Sequence, residues 1–143
     1  MRPAGTPIGI ALAQAAKATS AAFDDAMSRA GGSMPIWLIL LALKTHQGAN
    51  QRELASAVGI QGATLTHHLN GMESAGLVTR RRDPANRRVH IVELTGAGQD
   101  LFKRLAGVAR EFDRRLRAGI GEDQLNGFTE TLGRLERNLT AGG

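Results

Sequence analysis

Five arginines fall within nine residues, Arg80-Arg81-Arg82-Asp83-Pro84-Ala85-Asn86-Arg87-Arg88, against a single acid. Guanidinium groups at this density suit one kind of chemistry: they neutralise phosphates and enter narrow grooves of negative potential. Asp-Pro and Asn are turn formers, so the run straddles the tip of a hairpin. Alone, such a tip reads as a solvated turn kept charged for solubility. What precedes it changes the reading. Residues 51–72 set Gly59 between two helical patterns, with Ala55 as the small residue that crossing helices require. Leu54, Val58, Ile60 and Leu65 supply the apolar side at helix-turn-helix spacing. That pattern expects an apolar residue at position 68; His68 stands there and Leu69 takes the role. An ordinary helical hairpin shares these features. A helix-turn-helix followed within a few residues by an arginine-tipped hairpin is far more specific than either part.

Other chemistries find little support. The chain has 143 residues, a net charge of +5, 42% apolar residues and no cysteine. Thiol nucleophiles, disulfides and Cys-based zinc sites are thereby excluded. The histidines are His46, His67, His68 and His90. His67 and His68 are adjacent on a helix and point about 100° apart, a poor start for a shared metal ion, so no metal is expected. His46 and His90 read as surface residues. Asp24-Asp25 and Glu122-Asp123 read as solvated helix charges, the second pair favourable at a helix start. No nucleophile elbow, P-loop or dinucleotide fingerprint is present, so neither an enzyme nor a cofactor is expected. Four Phe and one Trp are too few for the stacking platforms that read single strands. The apolar run from Pro35 to Leu43 is about half a membrane span, and no signal-peptide pattern opens the chain. A cytoplasmic protein with no membrane contact is the expectation.

The elements that must position the arginines follow from periodicity. Residues 8–30 form a helix with Leu12, Ala16, Thr19, Phe23 and Met27 at three- and four-residue steps, stopped by Gly31-Gly32. Ser33 caps a helix over 34–46 with Pro35 in its first turn; Trp37, Leu38, Leu40, Leu41 and Leu43 make it the most buried, and Gly48 ends it. Asn50 with Glu53 caps a short helix, 51–58, and a further helix runs from Gln61 to Ser74 with Leu65, Leu69 and Met72 on one face. Gly76 closes it. Strands at 77–81 and 88–94 flank the turn 82–86. Thr95 caps a long helix over 97–118 with a stripe of Leu101, Leu105, Val108, Phe112 and Leu116. The last helix, 122–139, aligns Leu125, Phe128, Leu132, Leu135 and Leu139 along one seam, too apolar to leave in water.

The run Glu53-Leu54-Ala55, Gly59-Ile60, Leu69, Met72-Glu73, Gly76-Leu77-Val78, Arg82-Asp83-Pro84, Arg87-Arg88, Val92-Glu93-Leu94-Thr95 and Gly98 resembles the MarR family of winged-helix transcriptional regulators. The resemblance covers nearly the whole chain and implies a mainly α fold with a small β-hairpin wing. It makes 1–143 a single domain, with 34–94 the winged helix-turn-helix lobe and 8–30 and 97–139 the dimerisation helices. It implies that the helix over 61–74 lies in the major groove and presents Ala63, Thr64, His67 and His68, with Gln61 and Thr66 beside them. In the wing, Arg88 matches a groove-inserting arginine and Arg87 one that pairs with a nearby acid, while Arg80, Arg81 and Arg82 lie nearer the phosphates. Asn86 stands where the family commonly has Asp, which leaves Asp83 as the substitute acid; Gln61 stands where a capping Ser is usual.

The partners so implied are double-stranded DNA bearing an inverted-repeat operator, a second copy of the chain, and a small aromatic or phenolic effector. The dimer would use Leu12 and Phe23 of the first helix with Leu125, Phe128, Leu132, Leu135 and Leu139 of the last. The effector would bind between the first two helices and the helix beginning near Ala97; Trp37 lies nearby, although core packing is its stronger reading. The expected function is a repressor released from its operator by the effector. A winged helix that binds a protein instead of DNA remains the alternative, and a small helical enzyme the weaker one.

Overall fold

A computed structural model describes residues 5–141. The elements are α1 (Ile8–Arg29), α2 (Met34–Thr45), α3 (Gln51–Val58), α4 (Gly62–Ser74), β1 (Val78–Asp83), β2 (Asn86–Leu94), α5 (Gly96–Arg117) and α6 (Glu122–Ala141). They form two compact units divided between Ala109 and Arg110, within α5. No single helix is long and apolar enough to cross a membrane, among the described residues.

In the first unit, α1 and α2 meet at a bend of 78°. The corner is made by side chains. Ser33 Oγ accepts the Ile36 amide at 3.2 Å, the helix cap that its position predicts. Asp24 is not the solvated charge expected of it: its carboxylate accepts the Met34 amide at 2.9 Å and so holds the start of α2 against α1. At α3, Asn50 Oδ1 takes the Glu53 amide at 2.8 Å while Glu53 reaches back to the Asn50 amide, a complete capping box. Gly59 then turns the chain at φ 79°, a left-handed conformation that costs a side-chain-bearing residue about 1 kcal/mol or more.

The core collects Met27, Ile39, Leu40, Leu43, Leu54, Leu65, Leu69, Met72, Val78, Val92, Leu101 and Leu105. Fully burying a Leu or Ile contributes roughly 1.5–3 kcal/mol, so these side chains dominate the stability of the winged lobe. Two apolar expectations fail. Leu41 points outward, 40% exposed, because α2 buries the stripe through Ile39, Leu40, Ala42 and Leu43 instead. In α1 only Met27 is buried and Leu12 and Ala16 are exposed, since the helix meets the core near its C-terminal end alone. Helix α2 also stops at Thr45, before Gly48, which sits in the turn that follows.

The antiparallel hairpin is longer than periodicity suggests, and its turn shrinks from 82–86 to Pro84-Ala85. Polar side chains hold the tip. Asp83 Oδ1 accepts the Ala85 amide at 2.9 Å, Asn86 Oδ1 accepts the Arg88 amide at 3.2 Å, and the Arg82 guanidinium donates to the Arg87 carbonyl at 2.8 Å. Pairing runs regularly from Val78↔Leu94 to Arg82↔His90, then jumps to Asp83↔Asn86. Residues 87–89 therefore bulge from the ladder. The hairpin is moored to the lobe by a bridge between Asn50 and Ile91 and by the Val92 amide on the Ala49 carbonyl at 3.2 Å.

Past the wing, Thr95 Oγ1 caps α5 by accepting the Gly98 amide at 3.1 Å and donates to the Gly76 carbonyl at 2.6 Å. One hydroxyl thus joins the end of α4 to the start of α5. The second unit holds the C-terminal turns of α5 and all of α6. Its exposed pairs Glu111–Arg114 and Asp113–Arg117 are helix neighbours of little energetic weight. Leu125, Leu132 and Leu135 are half-buried; Phe128 is 58% and Leu139 81% exposed.

The α4–α5 junction yields a direct expectation. Gly98 is buried, and a Cβ placed there would fall on the Leu77 carbonyl oxygen, which the backbone cannot easily withdraw. Gly98→Ala should destabilise the protein by about 1–3 kcal/mol in denaturant unfolding, the usual cost of overpacking. An unchanged midpoint would mean the junction is slack.

Candidate nucleic-acid interface

Helix α4 has three faces. Leu65, Leu69 and Met72 recur at three- and four-residue steps and are buried, fixing its rotation about its axis. Away from them, Ala63, Thr64 and His67 are exposed, with His68 half-buried at their border. The His67 and His68 rings meet edge to face at 5.7 Å. No group of three or more His, Cys, Asp or Glu is placed to hold a metal ion among the described residues. His46 and His90 are exposed.

The third face is a polar flank of Thr66, Asn70 and Glu73, again at steps of four and three. Arg80 of β1 reaches across to it. Its Nη2 donates to Asn70 Oδ1 at 2.6 Å and to Glu73 Oε1 at 3.0 Å, its Nε to Glu73 Oε2 at 3.4 Å, and its Nη1 to Gln51 Oε1 at 3.5 Å. Gln51 in turn donates to Thr66 Oγ1 at 3.3 Å, and Thr66 donates to the Gly62 carbonyl at 3.0 Å. This chain of bonds tethers the first turns of α4, where Gln61 supplies no side-chain cap. The Arg80 hydrogen bonds hold the Glu73 carboxyl below its usual range.

The five arginines accordingly divide. Arg80 is 17% exposed and engaged with α3 and α4. Arg81 pairs with Glu93 across the outer face of the hairpin at 2.7 Å, and Arg82 is bonded to the Arg87 carbonyl, both remaining exposed. Arg87 and Arg88 stand in the bulge, exposed, and their guanidinium groups have no protein partner among the described residues. Asp83 does not replace the acid missing at Asn86: its carboxylate is turned onto the Ala85 amide, leaving Arg87 unpaired. Sequence reasoning missed the Arg80–Gln51 connection. The acceptors at 70 and 73 followed by an arginine were visible, but nothing in the pattern indicated which of the three consecutive arginines would turn inward.

Trp37 is half-buried and stacks on Phe102, ring centroids 5.5 Å apart, with the Lys44 ammonium 5.4 Å from the Phe102 ring. Lys44 also donates to Gln99 Oε1 at 3.0 Å. The core-packing reading of Trp37 therefore matches its surroundings.

Two adjoining helices with a sharp turn, a hairpin moored beside the second and a packed helix on each flank define a winged helix-turn-helix. Residues 33–90 match the sequence model of the MarR family. An HTH-type transcriptional regulator of Bacillus subtilis (strain 168), YdgJ, is 30% identical over 103 residues, covering 71% of this chain and 63% of that protein. The transcriptional repressor CouR, solved bound to a 23-mer DNA duplex, superposes with a TM-score of 0.83 at 27% identity over 91% of this chain and 92% of its own. The PcaV transcriptional regulator of Streptomyces coelicolor has the same fold, with a TM-score of 0.85 at 21% identity over 95% and 99% of the two chains. The chain thus resembles the MarR family over residues 33–90 and shares the fold of these solved transcriptional regulators along nearly all of its length. These relatives are transcriptional regulators, not enzymes.

The Glu73–Arg80 pair makes stability depend on acid in a defined direction. A carboxyl whose value is lowered by folding adds stability that is fully present above its unfolded value and lost as pH falls through the lowered one. Wild type should therefore melt above Glu73→Gln at neutral pH, and the gap should close through the acid range below the ordinary glutamate value. A gap that stays constant on acidification would show that the pair does not contribute through its charge.

Proposed function

We propose that this protein is a DNA-binding transcriptional regulator that acts as a homodimer on an inverted-repeat operator, most simply as a repressor. The observation that carries the proposal is a pair of arginines, Arg87 and Arg88, whose guanidinium groups have no partner among the described residues, on a bulged hairpin tip beside a helix whose exposed face is built from Ala63, Thr64 and His67. In this reading α4 enters the major groove, where Thr64 touches a thymine methyl and His67 hydrogen-bonds a base acceptor, with Thr66 and His68 at the edges of the contact. Arg88 enters the minor groove and Arg87 neutralises phosphate, joined by the outward parts of Arg81 and Arg82. The likeness to CouR, a repressor solved on a DNA duplex, supports both the DNA and the sign of regulation.

Dimerisation is supported by what the chain leaves in water. Ile8, Ile10 and Leu12 of α1 are exposed, and so are Phe128 and Leu139 of α6. Pairing of these helices with those of a second copy, with Phe23, Leu125, Leu132 and Leu135 as further candidates for the contact, would remove these side chains from solvent. It would also place two α4 helices for successive major grooves. Release by a small aromatic acid or phenol completes the proposal: an effector that favours a different spacing of the two lobes lowers affinity without touching DNA. The Trp37–Phe102 stack offers its fluorescence as a reporter.

Arg88→Ala should weaken operator binding by about 1–3 kcal/mol in a titration with labelled duplex, with the fold intact. Unchanged affinity would remove the wing from DNA recognition. Charging the exposed side chains of α6, in Phe128→Asp with Leu139→Asp, should halve the mass in solution and weaken binding to the full site together. A variant that stays dimeric and binds normally would refute the dimer surface, and salt-insensitive duplex binding by wild type would favour a protein-binding module instead.

A further inference from the structure

We infer that Arg80 is a positioning residue, not a DNA contact: it locks the angle between the wing and the recognition helix by holding Glu73 and Asn70, and through Gln51 it steadies Thr66. The inference rests on the DNA-binding reading and deepens it. Three observations carry it. The Arg80 side chain is 17% exposed, whereas that of its neighbour Arg81 is 55% exposed. All three guanidinium nitrogens have protein acceptors, and two of them reach the same carboxylate, the fork geometry that favours arginine over lysine. Two of the acceptors, Asn70 and Glu73, lie on the flank of α4 that also carries Thr66, across the exposed pole at Ala63 and His67 from Thr64, with Asn70 adjoining that pole.

The geometry has a functional consequence. Helix α4 packs on α3 and β1 through Leu65, Leu69 and Met72 and has no side-chain cap at its start, so the Arg80 bonds add a polar connection to that apolar packing. Arg80 stands opposite Val92 in the ladder, two residues from the buried Val78, on the inward face of the hairpin. A rigid connection from that point to Asn70 and Glu73 makes the wing tip and the recognition helix move as one body. Sequence preference then depends on Arg80 without Arg80 meeting a base. Thr66, at the edge of the proposed contact, is itself held by the tether, since its hydroxyl is engaged with Gln51 and the Gly62 carbonyl.

The test separates positioning from phosphate contact by salt. A residue that neutralises one phosphate contributes about 0.9 to the slope of log affinity against log salt. Arg80→Gln should weaken the specific duplex by roughly tenfold, the scale of lost charge-assisted hydrogen bonds at a partly exposed site. Its salt slope and its affinity for random duplex should match wild type. A slope reduced by about 0.9, with random duplex weakened in parallel, would make Arg80 a phosphate contact and overturn the inference; unchanged specific affinity would overturn it as well. Should Arg80→Gln fail to fold, Glu73→Gln decides. Positioning predicts weaker specific binding although a negative charge has been removed, whereas a phosphate-contacting Arg80 released from its carboxylate predicts tighter binding. The Arg80 Nε–H signal in a nitrogen-edited spectrum adds an independent readout: it should shift in Glu73→Gln and stay in place when DNA is added, while that of Arg88 moves. A wild-type protein that binds no duplex would defeat the functional reading itself, a result distinct from any of these.

Discussion

The second helix of a helix-turn-helix must keep one face dry and another wet, and α4 has only thirteen residues with which to do both. Leu65, Leu69 and Met72 settle the dry face, and their burial among α2, α3 and the hairpin sets where every other side chain of α4 points. Much of the remaining structure serves that placement. The capping box at Asn50 and Glu53 fixes where α3 begins, and the left-handed Gly59 sets the turn into α4. Gly76, also left-handed at φ 75°, lets the Leu77 amide close on the Met72 carbonyl, so the chain leaves α4 already aimed along β1. The Thr95 hydroxyl then returns the chain to that same corner. A helix anchored at both exits can present a polar face to solvent without its own cap.

The wing follows a second constraint, that like charges crowded on a hairpin repel unless partnered. The structure answers by position along the strand. Near the base, Arg80 and Arg81 are held by Glu73 and Glu93; midway, Arg82 is held by a backbone carbonyl; at the tip, Arg87 and Arg88 are left open. Positive charge therefore rises toward the tip, and the bulge at residues 87–89 turns two arginines off the ladder where it is greatest. A graded tip of this kind suits a groove of negative potential better than a uniform basic surface would.

Much of this was legible in the sequence because it is local. The cap at Ser33, the capping box at Asn50, the break at Gly59 and the apolar stripe of α4 each depend on residues within a turn of one another, and the structure has them as read. What escaped was nonlocal. Asp24 looked like a solvated charge because its partner, the Met34 amide, lies across a corner whose 78° bend no periodicity encodes. Leu41 looked buried because α2 is apolar nearly all round, and pattern alone cannot choose its dry side. The same limit hid the role of Arg80. Three consecutive arginines alternate across a strand, but which parity faces inward depends on register, and register is set by the mooring of Ile91 and Val92 to residues 49 and 50.

The central claim is that α4 and the wing of each copy together read double-stranded DNA. Selection of bound duplexes from a random pool by the full-length protein, followed by titration of the enriched duplex across a range of salt, tests it most directly. The account predicts enrichment of an inverted repeat whose half-site centres lie about 10–10.5 base pairs apart, with affinity that falls steeply as salt rises. A pool that shows no enrichment, or binding that is indifferent to salt, would contradict it.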